Sequence, residues 1–75
     1  MSVGKLPVVS GQDLIRALQM AGFQVVRQKG SHVSLQKHEF RTVVPLHDEL
    51  AKGTLIGILK HCGLDREALQ ELLKK

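Results

Sequence analysis

Arg27-Gln28-Lys29-Gly30-Ser31-His32 sets two cations, a glycine, a hydroxyl and an imidazole in one run of chain. Histidine is the side chain that ordinarily titrates near neutral pH, so it can take up or release a proton under mild conditions. Cleaving an RNA strand without a metal has four requirements. The 2′-hydroxyl must be deprotonated and held in line with the phosphorus, the developing negative charge neutralised, and the leaving oxygen protonated. A solvent-accessible imidazole performs the first of these, with a rate gain on the order of 10²–10⁴. His32 is the candidate for that role. Arg27 and Lys29, just upstream across a turn, are candidates for binding the scissile phosphate and stabilising its transition state. Gly30 permits close backbone approach, and Ser31 offers an amide and a hydroxyl. A histidine in a basic turn can equally be a plain surface or RNA-contacting residue, and residue types alone leave both readings open.

His47 follows Pro45 at the end of a strand-like run. It is either a secondary acid for the leaving group or a local hydrogen-bonding residue that orders the loop before Lys52. Lys52-Gly53-Thr54 opens a helical pattern, where free amides and the positive end of the helix dipole attract phosphate. Lys52 is therefore an RNA-contact candidate, with a merely solvated lysine as the other reading. The run is not a phosphate-binding loop of the Walker type, because the preceding glycine at the required spacing is missing. His38 and His61 read as bystanders. The histidines form no i, i+4 pair and Cys62 stands alone, so neither a metal site nor a cofactor is expected. Tryptophan and tyrosine are absent and both phenylalanines fit the core, so base stacking is not expected to drive recognition. Backbone, shape and the 2′-hydroxyl remain as the features to be read.

The elements that must position these residues follow from periodicity. Met1 to Val9 has no period and contains Pro7, and reads as a tail or strap; the domain is expected over 10–75. Ser10 with Asp13 resembles a capping box, and Leu14, Ile15, Leu18 and Ala21 form an apolar helical stripe stopped by Gly22. From Phe23 the period changes to two, with Phe23 and Val25 on one face and Gln24, Val26 and Gln28 on the other. After the turn, Val33 and Leu35 face inward, which sends His32, Ser34 and Gln36 outward. Lys37-His38-Glu39 makes a second turn, and a third strand from Phe40 to Val44 is stopped by Pro45. Thr54 is the expected N-cap of a helix carrying Leu55, Ile58, Leu59 and Cys62 and closed by Gly63. Gly57 inside that helix is expected to mark close packing, with partner contact as the weaker explanation. Asp65 caps a short last helix with Ala68, Leu69, Leu72 and Leu73. The result is an α+β domain of two layers, α-β-β-β-α(-α), with helices on one face of a three-stranded antiparallel sheet.

Eleven Lys and Arg against seven Asp and Glu give a net charge of +4 over 75 residues. That balance favours polyanionic partners such as nucleic acid. No segment approaches the apolar length of a membrane span or of a secretory h-region, and the lone cysteine cannot make an internal bridge. A reducing cytoplasm is the expected compartment, with Cys62 as a small buried apolar residue.

Gly30-Ser31-His32, Val44-Pro45-Leu46-His47 and Lys52-Gly53-Thr54-Leu55 followed by Ile58-Leu59-Lys60 resemble, in order and spacing, the HicA family of small toxins. The resemblance covers residues 10–75. It implies a fold like that of double-stranded RNA-binding domains and a type II toxin–antitoxin role in the stress response. The activity implied is mRNA interferase: metal-independent endoribonuclease cleavage, with the catalytic histidine of the Gly-Ser-His motif carried to His32. It also implies a HicB-type antitoxin that covers His32 in a toxin–antitoxin hetero-oligomer. One departure is Leu35, where an aromatic would be expected in many relatives; Leu35 reads as a core position, so packing is affected more than chemistry. The alternative function is a non-catalytic RNA-binding module using the same basic surface.

Overall fold

The computed structural model describes residues 6–74. In chain order they form α1 (Gly11–Met20), β1 (Gln24–Lys29), β2 (His32–Lys37), β3 (Phe40–Pro45), α2 (Lys52–Cys62) and α3 (Arg66–Leu73). The strands make one antiparallel sheet in the order β1-β2-β3, an arrangement consistent with the double-stranded RNA-binding-domain type of fold. Leu14, Leu18, Val33, Leu35, Val44, Leu55, Ile58 and Leu69 are buried between helices and sheet. Among the described residues no helix is long and apolar enough to cross a membrane.

Caps fix the helix ends. The Ser10 hydroxyl accepts the Asp13 amide at 3.0 Å, and Asp65 Oδ1 accepts the Ala68 amide at 2.8 Å. Beyond α1, the Gly22 amide donates to the Gln19 carbonyl and the Phe23 amide to the Leu18 carbonyl. This is a Schellman closure that brings Phe23 and Leu18 together in the core. Gly63, with φ of +69°, closes α2 in the same way, a left-handed conformation that glycine adopts at least cost. Lys37 Nζ donates to the Ala21 carbonyl at 2.6 Å, fastening the end of α1 to β2. Of the strap, Met1 to Lys5 lies outside the described residues. Val9 is buried, and its carbonyl accepts the Leu50 amide at 2.8 Å.

Four expectations need correction. α2 begins at Lys52 with Ala51 as N-cap and without a side-chain cap bond, so Thr54 lies within its first turn. The apolar spacing from Leu55 to Cys62 sets the helix's rotation, whereas its start is set by the chain leaving the buried Leu50. Phe40 is not a core residue; it is 37% exposed, its ring lying over Gly63 at the domain's margin. Gly57 is not tightly packed, since a Cβ there would meet nothing within 4 Å. Finally, β1 does not alternate strictly. Its register slips between Val25 and Arg27, leaving Val26 as a bulge, and every residue of the strand is exposed, Val25 by 43%. A strand paired on one side only, at the edge of the sheet, lies partly beyond the helices that cover Leu35.

Candidate active site

The bulge decides which way the cations point. Val25 is opposite the buried Leu35 and so shares its helix-facing side. Strict alternation from Val25 would turn Arg27 and Lys29 the same way, toward the core. With Val26 unpaired, Arg27 is instead opposite Ser34 and Lys29 opposite His32, both on the face away from the helices. An extra residue re-aims all side chains beyond it. The sequence signal for it is the pair of cations at 27 and 29, which strict alternation would place on the same side as the apolar Val25 and Leu35.

Lys29 and His32 close the β1–β2 hairpin across the turn Gly30-Ser31. Gly30 has φ of +60°, whereas Ser31 is not in the positive region, the pattern of a two-residue hairpin turn with glycine first. Directly opposed residues in such a ladder have Cβ atoms about 4.5–5.5 Å apart, with diagonal neighbours at about 7–8 Å. The face therefore presents Arg27, Lys29, His32 and Ser34 as one cluster, and Arg27, Lys29, Gly30, Ser31 and His32 are all exposed. The positive end of Gln28's amide is turned back onto the loop, Nε2 donating to the Gly30 carbonyl at 3.2 Å.

The chain just before His47 meets the hairpin turn. The Leu46 amide donates to the Ser31 carbonyl at 2.8 Å, and the His47 carbonyl accepts the Gly11 amide at 2.9 Å. The backbone at His47 is thus clamped between the hairpin turn and the start of α1, while its side chain is exposed. Lys52 is not part of the cluster. It belongs to the helix layer and borders a shallow depression with Leu6, Pro7 and Glu49.

The remaining titratable candidates stand apart. Cys62 is buried, and burial pushes its thiol up to about 11, so it is no nucleophile at neutral pH. His61 Nδ1 lies 3.5 Å from Thr42 Oγ1 on the helix side of β3. His38 adopts φ of +55° in the second hairpin turn. Among the described residues no three His, Cys, Asp or Glu side chains converge in a way that could hold a metal ion.

A search of curated proteins returned no match. A family profile described as the HicA toxin of bacterial toxin–antitoxin systems matches residues 11–64. The matched stretch runs from the start of α1 to the residue after the α2 closure and contains the whole sheet, the Gly30-Ser31-His32 turn, His47 and Lys52. With that profile matching most of its length, this chain belongs to the HicA family and is a toxin of the toxin–antitoxin type.

Proposed function

We propose that this toxin is a metal-independent endoribonuclease that cleaves mRNA, acting through the 10–75 domain with His32 as general acid/base. The observation that carries the reading is the common face of His32, Lys29 and Arg27. In the proposed reaction His32 takes the proton of a ribose 2′-hydroxyl. The 2′-oxygen then forms a bond to phosphorus as the bond to the 5′-oxygen breaks. The products are a 2′,3′-cyclic phosphate and a 5′-hydroxyl, the latter receiving a proton from an acid on the same surface. Arg27 and Lys29 hold the non-bridging oxygens, where charge builds up. The exposed Gly30-Ser31 turn supplies backbone approach and a hydroxyl. His47, held beside that turn, is the secondary acid, and Lys52 binds a phosphate further along the strand. Recognition through backbone and 2′-hydroxyl makes cleavage weakly dependent on sequence.

A toxin of this kind acts in the cytoplasm and must be restrained there. The restraint proposed is a HicB-type antitoxin that forms a hetero-oligomer with it and occludes the turn from Arg27 to His32.

The test is His32→Ala. Loss of RNA cleavage and of growth toxicity, with an unchanged circular dichroism spectrum, is the expected result, since His32 is exposed and opposite no core residue but Pro45. Cleavage that survives in the folded variant overturns the assignment and moves attention to His47. Wild-type protein that shifts RNA mobility but never turns it over is instead the non-catalytic RNA-binding module.

A further inference from the structure

β3 is an edge strand whose outer side is open for a short stretch. The Leu46 amide bonds to the Ser31 carbonyl, so hydrogen-bonded pairs alternate from there: Ser31 with Leu46, Val33 with Val44, Leu35 with Thr42, Lys37 with Phe40. The intervening residues, Arg41, Val43 and Pro45, direct their backbone groups away from β2. Pro45 fits this phase, having no amide hydrogen to offer β2. The start of α1 closes one end of this edge, for Gly11 lies against the Pro45 carbonyl. Phe40 against Gly63 closes the other. Between them the amides and carbonyls of Arg41 and Val43 have no protein partner among the described residues.

That window borders a groove of about 490 Å³ between β3 and α2, with Gly53, Gly57, Ile58 and His61 on the helix side. A Cβ at Gly53 or Gly57 would meet nothing within 4 Å. Neither glycine has positive φ, so neither backbone nor packing calls for it, and Gly57 lowers helix stability by about 1 kcal/mol relative to alanine. None of the groove's residues is acidic, and Arg41 and His61 border it.

We propose that the antitoxin docks here, adding an extended acidic segment to the β3 edge. The segment bonds the backbone of Arg41 and Val43 and runs over the glycine-cleared flank of α2. An added strand lies two strand spacings, about 9–10 Å, from β2. At Arg41 and Val43 it is level with Gln36 and Ser34, at the rim of the sheet, so the rest of the partner passes round that rim to cover His32 on the outward face. The proposal rests on the toxin–antitoxin assignment and not on the nuclease chemistry. A second copy of the chain is the poorer occupant, since pairing two β3 edges brings Arg41 side chains and two net positive charges together.

The experiment measures binding of the cognate antitoxin to full-length Val43→Pro, Gly57→Leu and Arg41→Glu variants, with RNA cleavage followed in parallel. Val43→Pro removes an edge donor while sparing the β2 ladder, and Gly57→Leu fills the groove from a position with room for it. Each variant is expected to bind the antitoxin at least tenfold more weakly with wild-type RNA cleavage, a combination that separates this proposal from the nuclease assignment. On the wild-type protein, antitoxin should protect the Arg41 and Val43 amides from hydrogen exchange. Wild-type affinity in folded Val43→Pro and Gly57→Leu overturns the proposal. So do unprotected amides, protection by RNA but not antitoxin, or protection through self-association alone. Wild-type affinity of Arg41→Glu overturns the acidic character of the segment.

Discussion

Lys29 stands directly across the β1–β2 ladder from His32, at the closing pair of the hairpin. An ammonium at this spacing can follow a phosphate through the whole reaction, whereas Lys52 lies in the helix layer, apart from the cluster. Lys29→Gln and Lys52→Gln are therefore expected to differ. In a His32→Ala background each should flatten the salt dependence of RNA binding by about one unit, as counterion release counts neutralised phosphates. With His32 intact, only Lys29→Gln should also slow cleavage at saturating RNA. Equal effects of both variants on the saturated rate would remove Lys29 from the reacting phosphate.

Two experiments on the substrate side bear on the proposed chemistry. An oligonucleotide with a single 2′-deoxy sugar should resist cleavage on the 3′ side of that sugar, because the attacking oxygen is missing. Cleavage of the unmodified strand should persist in excess EDTA, because every step is assigned to a side chain. Activity lost to EDTA and restored by zinc or magnesium would contradict this.

The same substitution at two glycines should have opposite signs. Gly57→Ala is expected to raise stability by up to about 1 kcal/mol, since the added methyl enters open space and alanine is the better helix former. Gly11→Ala is expected to lower it by more than that, because a Cβ there would collide with the Pro45 carbonyl oxygen. Thermal or urea unfolding of the two variants decides the matter.

Cys62 gives the fold an alkaline dependence whose sign can be worked out. Burial raises its folded value from 9.0 to about 11, so the unfolded chain releases the thiol proton first. The associated stability is complete below pH 9 and is lost as pH rises toward 11, at about 1.4 kcal/mol per unit of difference. Lysine titration overlaps this window, so the difference between wild type and Cys62→Ala in urea unfolding from pH 8 to 11 is the quantity to follow. A constant difference would contradict the shift. At neutral pH the native thiol should resist alkylation.

Leu35→Ala probes the core beneath the site. Leu35 has no exposed surface and lies on the central strand, so the change should lower stability by about 2–5 kcal/mol. Its backbone neighbour on the outward side, Ser34, faces the cluster; Ser34→Ala should alter stability far less. Chemical unfolding of both variants measures the contrast.

Local chemistry made much of this protein legible in its sequence. Helical spacing of Leu14 and Leu18, alternation of Val33 and Leu35, the caps Ser10 and Asp65 and the closures at Gly22 and Gly63 are decided by neighbours in the chain, and each reappears in the fold. The outward placement of His32 follows from the same two-residue period. What the period could not supply was the face of Arg27 and Lys29, because a bulge at Val26 depends on β2 holding Val25 and Arg27 at once to Leu35 and Ser34. The openness at Gly57, the exposed margin at Phe40 and the early start of α2 are likewise relations between elements remote in sequence. Spacing along a chain encodes which residues share a face of one element, but the register between strands and the gap between a strand and a helix are set only when the elements pack.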